Sequence, residues 1–317
     1  MKLVIYMPAL NEEENIQKVI EHLPQNIPNI DQIEYLVVDD GSNDQTAMLA
    51  EKVGALVVSH GKNRGVGAAF QSSVQFALEN DVDILIGIDA DGQFDPGEIP
   101  LLIEPILNYQ ADMVVGNRFE NGRPDFMPKI KYWGNQKVAR LVSFLCNQEF
   151  QDVSCGFRSY NREAMLRLNI FANFTYTHET ILSLVYQGLR VVEQSIHVNY
   201  DPERKSRVAS SILHYGIQTS KIIIRVILDY HPIRMFGSLG AISMGIGIIF
   251  EVFLMGYYLF YGRFTPYKSA GFIGLGFIIF GMLVLLIAMI SDMLNRIRRN
   301  QDKILYEVKK IRYGKEN

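Results

Sequence analysis

A chain of 317 residues with 48% hydrophobic and 21% charged side chains has the composition of an ordinary folded protein, and it is long enough for more than one domain. Its formal charge of -3, with no basic stripe interleaved with aromatics in the first two thirds, excludes nucleic acid as an expected partner. Only Cys146 and Cys155 are present, without CxxC or zinc spacing, which excludes a disulfide framework and a structural zinc site and fits a reducing compartment.

The first apolar run, Leu3 to Met7, passes directly into the acidic segment Asn11 to Glu14 and reads as a strand rather than a secretory signal. Tyr35 to Asp39, Ala55 to Ser59, Ile84 to Asp89 and Met113 to Gly116 are the next strand candidates, and helical patterns lie between them. Helix starts are expected at Asn11, which is followed by three glutamates, and at Asp95 with Pro96 in the first helical position. This alternation predicts an α/β fold with a mostly parallel sheet, covered on both faces because its strands are almost continuously apolar. Ligands of such sheets gather beyond the carboxyl ends of the strands, so the residues after each run are the candidate site.

Those residues are polar. Pro8, Ala9, Leu10, Asn11 and Glu12 form a tight turn whose backbone could edge a flat base. Asp39 and Asp40 follow the second run, and strand alternation sends them to opposite sides. One can accept from a ribose or base while the other holds the turn; Asp40 is the expected nucleotide ligand. The loop Gly61 to Gly67 sets Lys62 and Arg64 among glycines ahead of a helix, which suits phosphate, with Arg64 and Gly65 at its centre. It has neither the GK[ST] ending nor GxGxxG spacing, and a plain glycine-rich connection is the alternative.

The strongest signal is the run Ile84 to Asp89 ending in Asp89, Ala90, Asp91, Gly92 and Gln93. Residues i and i+2 of an extended segment point the same way, so the two carboxylates converge if strand geometry persists. At ~4 Å they repel by about 4 kcal/mol at an effective dielectric of 20, and a divalent cation, Mg2+ or Mn2+, reverses the balance. Bridging a diphosphate, that cation would neutralise charge on the leaving group. The bland alternative is an acidic turn with Gly92 at the bend and Asp95 capping the next helix.

The second half changes character. Val208 to Tyr230 reads as an amphipathic helix, with Ile222, Ile223, Val226 and Ile227 on one side and Lys221 and Arg225 available to lipid headgroups; packing on the catalytic domain is the equal alternative. Phe236 to Phe260 and Ala270 to Ile290 each exceed the ~20 residues a membrane helix needs and carry one formal charge, Glu251. The expected organisation is a catalytic domain over 1–207, an interfacial helix over 208–231, a hairpin of two transmembrane helices within 232–292 and a basic tail over 293–317. Arg296, Arg298, Arg299, Lys303, Lys309, Lys310 and Arg312 favour the cytoplasmic side for that tail, and the hairpin puts the first domain there too, in a cytoplasmic-membrane protein. Glu251 suggests a helix or subunit contact, and with it a homo-oligomer formed through the membrane helices.

In combination, MPALNEEENI, VVDDGSNDQT, NRGVGAAF, DADGQFDP, GNRF at Gly116 to Phe119, DVSCGFRSY from Asp152 and RKSR at Arg204 to Arg207 resemble the family 2 glycosyltransferases of the GT-A fold. The similar branch is that of dolichol-phosphate mannosyltransferases and bacterial polyprenyl-phosphate glycosyltransferases, and the resemblance spans roughly residues 3 to 211. It implies an inverting transfer of a hexose from a nucleotide-diphosphate sugar to a polyprenyl phosphate. Pro8, Ala9, Asn11, Glu12, Asp39, Asp40, Arg64, Gly65, Asp89, Ala90 and Asp91 form the implied nucleotide-sugar set. Asp89, Asp91 and Gln93 are the implied metal ligands, and Arg118, Arg204, Ser206 and Arg207 the implied phosphate ligands. The family often shows Arg, Gly, Ser, Lys where this chain has Arg204, Lys205, Ser206 and Arg207.

A lipid monophosphate acceptor is already ionised near neutral pH, since its second pKa lies near 6, so no strong base is required. Asp91 and Arg118 then carry the catalytic work. A sugar hydroxyl acceptor would need a carboxylate base, for which Asp152 is the candidate. A processive polysaccharide synthase is the competing enzyme, but its QxxRW signature is missing: the only tryptophan, Trp133, follows Ile130, Lys131 and Tyr132. A non-catalytic nucleotide-sugar-binding membrane protein is the competitor from another class.

Overall fold

The structure, a computed structural model, describes residues 1–169, 176–200 and 232–314. It divides into two units, Met1–Ser210 with Leu305–Asn317, and Ser211–Ile304. The expected interfacial helix at 208–231 and the phosphate candidates Arg204, Ser206 and Arg207 lie outside the described residues.

The first unit is built on one seven-stranded sheet in the order β3-β2-β1-β4-β6-β5-β7. Its strands are β1 Lys2–Ala9, β2 Gln32–Asp39, β3 Leu56–Ser59, β4 Ile84–Gly87, β5 Met113–Asn117, β6 Arg158–Asn161 and β7 Val191–Ser195. As expected, the sheet is mostly parallel: β1 pairs in parallel with β2 and β4, β2 with β3, and β5 with β7. Leu3, Val4, Ile5 and Met7 are fully buried, because helices cover both faces and a two-sided strand has no polar side to show. The helices are α1 Ile16–Glu21, α2 Thr46–Lys52, α3 Val66–Glu79, α4 Ile99–Leu107, α5 Lys129–Cys146, α6 Arg162–Arg167 and α7 Thr177–Tyr186.

Three expectations need correcting. β4 ends at Gly87, so Asp89 and Asp91 are placed by a turn and not by the strand pleat. Asn11 does not start a helix: it adopts φ 53° and α1 begins only at Ile16. Its polar groups are engaged elsewhere, the amide donating to Ser42 Oγ at 2.9 Å and Oδ1 accepting from the Asn43 amide at 2.9 Å. Third, the expected strands include neither β6 nor β7; β6 runs antiparallel between β4 and β5 and carries Arg158, Ser159 and Asn161. These polar residues hide a strand from an apolar-run reading. Arg158 is nonetheless fully buried, donating to the carbonyls of Cys155, Thr177 and Val153 and to Thr180 Oγ1. Asp95 behaves as expected: its Oδ1 accepts from the Gly97 amide at 2.8 Å and starts a short 3-10 turn, Pro96–Glu98.

The second unit contains α8 Pro232–Tyr261 and most of α9 Lys268–Tyr313. Both are long and apolar enough to cross a membrane. They meet through small residues: a Cβ on Gly240 would lie 2.9 Å from the Gly281 carbonyl, and one on Gly247 would lie 2.6 Å from the Gly274 carbonyl. Such close backbone approach is the usual basis of helix association in lipid. Ser243 Oγ adds a hydrogen bond to the Phe277 carbonyl at 2.9 Å. Glu251 faces this seam, its Oε1 3.0 Å from where a Gly274 Cβ would stand, which makes it a contact between the two helices.

The stretch expected as a basic tail is helical to Tyr313, and its end belongs to the first unit. The Tyr306 ring lies 4.4 Å from the Arg167 guanidinium and its hydroxyl 3.1 Å from the Glu163 carboxylate. Lys309 Nζ donates to the Leu168 carbonyl at 2.6 Å and to Asn169 Oδ1 at 3.0 Å.

Candidate active site

Parallel register sets the carboxyl ends of β1 and β2 side by side, with Ala9 opposite Asp39, and β4 flanks β1 on its other edge. The turns that follow are stitched together. The Glu12 amide donates to Thr46 Oγ1 at 2.8 Å, the Glu13 amide to Asp44 Oδ2 at 3.2 Å, and the Gln45 amide returns to Glu13 Oε2 at 3.0 Å. The Pro8 to Glu12 turn is therefore held rigidly against the Asp39 to Thr46 turn.

Asp39 and Asp40 are both buried, and both carboxylates hold loops. Asp39 accepts from the Ser42 amide and Ser59 Oγ, each at 3.0 Å. Asp40 accepts from the Arg64 amide at 2.9 Å and the Gly65 amide at 2.7 Å, while His60 Nδ1 lies 2.7 Å from its Oδ1. The other ring nitrogen of His60 lies 2.8 Å from Ser72 Oγ on α3. The amides of Arg64 and Gly65, expected to face phosphate, point at Asp40, so the loop is fixed to β2 before any ligand arrives. Gly41 makes the approach possible: at φ 84° its missing Cβ would stand 2.5 Å from the Lys62 carbonyl carbon.

Beyond β4, Asp91 Oδ1 accepts from the Gln93 amide at 3.1 Å across Gly92. Ala90 is buried beneath this turn. Asp89 lies against Gly156, whose missing Cβ would stand 3.1 Å from its Oδ1. Behind it, the Tyr6 and Tyr176 hydroxyls are 3.0 Å apart, and Tyr176 stacks on Phe70 at 4.2 Å. Burial pushes both phenols up, and the Asp89 charge adds to the effect, so the floor of the corner is neutral.

Arg118 and Asp152 form a two-pronged pair, Nε to Oδ2 at 2.6 Å and Nη2 to Oδ1 at 2.9 Å. Arg118 also donates to Ser154 Oγ at 2.8 Å and to the Tyr200 hydroxyl at 3.1 Å. Burial would push the Asp152 carboxyl up, but the guanidinium and its hydrogen bonds outweigh this and hold it below the ordinary value. One residue of this corner escaped the sequence reading. Lys131, in the first turn of α5, stands with Nζ 5.5 Å from the centre of the Tyr200 ring. Burial and then Arg118 push its pKa down, while Asp152, Asp91 and Asp89 pull it up. It thus joins Arg118, which donates to the Tyr200 hydroxyl, as a second cation at Tyr200. Its only signal in the sequence was a place two residues before the single tryptophan.

Among the described residues no three His, Cys, Asp or Glu side chains gather as a metal cage. Asp89 and Asp91, two residues apart on the turn where the Gln93 amide donates to Asp91 Oδ1, carry hard carboxylate oxygens, the donor type suited to a cation that completes its shell with substrate phosphate and water, as magnesium does.

Comparison with known proteins places the fold in context. The model of glycosyl transferase family 2 matches residues 4–168. Glycosyltransferase AglJ of Haloferax volcanii is 26% identical over 315 residues, covering 96% of this chain and 97% of its own length. The UDP-N-acetylglucosamine–dolichyl-phosphate N-acetylglucosaminyltransferase of Methanococcus voltae is 30% identical over 182 residues, 51% of this chain and 70% of its own. Among solved structures, glucosyl-3-phosphoglycerate synthase from Mycobacterium tuberculosis, in complex with Mn2+, UDP and glucosyl-3-phosphoglycerate, superposes with a TM-score of 0.54 at 22% identity, covering 72% of this chain and 78% of that one. The chain belongs to glycosyl transferase family 2 and is a glycosyltransferase with two candidate membrane spans.

Proposed function

We propose that this family 2 glycosyltransferase moves a hexose from a nucleotide-diphosphate sugar to a polyprenyl phosphate at the cytoplasmic face of a membrane, with inversion at the anomeric carbon. The observation that carries this reading is a pair of cations gathered on one tyrosine: Arg118, held by Asp152, donates to the Tyr200 hydroxyl at 3.1 Å, and Lys131 Nζ lies 5.5 Å from the centre of the Tyr200 ring. A site that must bring two phosphate-bearing substrates together needs cations facing a metal corner more than it needs a base. The named dolichyl-phosphate relative supports the acceptor class, and the cations of 293–317 support the orientation.

Asp89, Asp91 and Gln93 would hold Mg2+ or Mn2+, which when bound supplies Lewis-acid charge to the leaving diphosphate. The chain's own residues do the rest. The rigid turn Pro8 to Glu12 edges the base, and Asp40 presents the Arg64 loop beside it. Arg118, fixed by Asp152, and Lys131 orient the acceptor phosphate, whose oxygen is already ionised near neutral pH. Arg204, Ser206 and Arg207 are proposed as further phosphate ligands. The competing role of Asp152 as a base for a sugar hydroxyl is disfavoured, because both of its oxygens accept hydrogen bonds and its pKa is lowered.

The test incubates the purified full chain with a panel of labelled UDP- and GDP-sugars and polyprenyl phosphate, with and without Mg2+ or Mn2+. Chloroform-soluble label that disappears with chelator is expected. Label found only in polymer would replace this reading with the synthase.

A further inference from the structure

β5 and β7 run side by side in parallel, with Val115 opposite Glu193 and Asn117 opposite Ser195. Residues paired across two parallel strands point to the same face, as do residues two apart along one strand, so Asn117 and Glu193 share a side of the sheet. Both reach the loop between α5 and β6 at one residue, Gln151. Asn117 Nδ2 donates to the Gln151 side-chain oxygen at 3.3 Å, and the Gln151 amide donates to both Glu193 oxygens at 2.9 Å. The Asp152 amide comes next and donates to Glu193 Oε1 at 2.7 Å.

The half-buried Glu193 carboxylate therefore spends both oxygens on consecutive backbone donors from 41 and 42 residues earlier in the chain. Bonds from an amide to an ionised carboxylate are roughly twice as strong as those to a neutral oxygen, which makes this a firm anchor. What it anchors is the residue that grips Arg118. Asp152 holds the guanidinium in a planar, two-pronged pair, and the Ser154 amide and hydroxyl close the loop on Asp152 Oδ1 at 3.1 Å each. A shift of the Asp152 backbone would turn the guanidinium with it, because a two-pronged pair fixes angle as well as distance. Arg118 directly follows β5, so its backbone is set by one strand while its side chain is set by a loop. Glu193, on the adjoining strand, brings the two into register, and a strand holds such a group more accurately than a loop does.

We infer that Glu193 is a positioning residue for the acceptor phosphate: through the Gln151 and Asp152 amides it sets the place and angle at which Arg118 meets that phosphate. This rests on the reading that Arg118 handles the acceptor. Glu193 acts only through the loop and the arginine.

The experiment titrates the full chain in detergent with geranyl phosphate, and separately with UDP or GDP plus Mn2+, whichever the wild-type chain binds. Glu193→Ala should weaken geranyl phosphate by about 10-fold or more, the usual scale of one hydrogen bond to a charged group, and leave the nucleotide unchanged. Glu193→Gln, which keeps one accepting oxygen, should weaken it by less; where the alanine variant does not fold, the glutamine variant carries the same comparison. In an Arg118→Lys background either substitution should cost nothing further, because two residues acting through one contact are not additive. Loss of both ligands in step, or an equal loss in the two backgrounds, would make Glu193 a purely structural anchor and overturn the inference. Unchanged geranyl phosphate affinity overturns it as well. A wild-type chain that does not bind geranyl phosphate removes the acceptor reading itself, and this inference with it.

Discussion

The guanidinium of Arg118 grips Asp152 through Nε and Nη2, at 2.6 and 2.9 Å, with 9% of one side chain and none of the other left in solvent. A buried pair of this kind is far costlier to halve than to keep, because the survivor is left charged and unpaired. Arg118→Met should therefore destabilise the first unit by about 3–5 kcal/mol, read by denaturant unfolding of the full chain in detergent. The pH dependence has a definite sign. Asp152 has a lower pKa folded than unfolded, so its stabilisation is complete above the ordinary carboxyl value of ~3.9 and is lost as pH falls through the depressed one. Asp152→Asn should flatten that acid limb; an unchanged limb would place the acid sensitivity elsewhere.

Gly156 leaves room for Asp89. An alanine there would put Cβ 3.1 and 3.3 Å from its two carboxylate oxygens and force the side chain to shift. Displacing the support of a metal ligand commonly costs about 10- to 100-fold in affinity. Gly156→Ala should weaken Mn2+ binding by that order in the presence of the nucleoside diphosphate, measured by calorimetry, with little change in melting temperature. Full affinity in this variant argues against Asp89 as a ligand.

Asp40 fixes the Arg64 loop through two amides. In Asp40→Ala the Arg64 amide loses its acceptor, at about 1–3 kcal/mol if it stays buried, while the Gly65 amide keeps only Asn63 Oδ1 at 3.1 Å. The loop is then free to move, and the donor KM should rise more than kcat falls. His60→Ala, which removes the bridge from Asp40 to Ser72, should shift KM the same way by less. A donor KM that ignores both substitutions would dissociate the loop from donor binding.

Tyr306 docks the end of α9 on α6, stacking against Arg167 and reaching Glu163. Cation–π contact contributes about 0.5–1 kcal/mol and a hydrogen bond a similar amount, so Tyr306→Ala should lower stability by about 1–2 kcal/mol, a few degrees in melting temperature. A chain ending at Ile304 should lose more, since Lys309 goes with it. Coincident melting of all three proteins would mean the contact contributes nothing.

The sequence by itself determined the alternation of apolar runs that makes a mostly parallel sheet, the polar corners at the ends of β1, β2 and β4, and the two long apolar helices. Each is a local periodicity or a run of composition, legible without knowing what lies across from it. The tertiary structure decided how the polar atoms are used. Asp40 faces amides 24 and 25 residues away, and Asp152 faces an arginine 34 residues away. Lys131 reaches Tyr200 from a helix, β6 slips in antiparallel with polar side chains, and Tyr306 returns to a helix 143 positions earlier. Hydrogen bonding and charge depend on distance in space, which the chain sets only by folding. For the same reason a carboxylate at a strand end reads alike in sequence whether it awaits a ligand or already holds a loop.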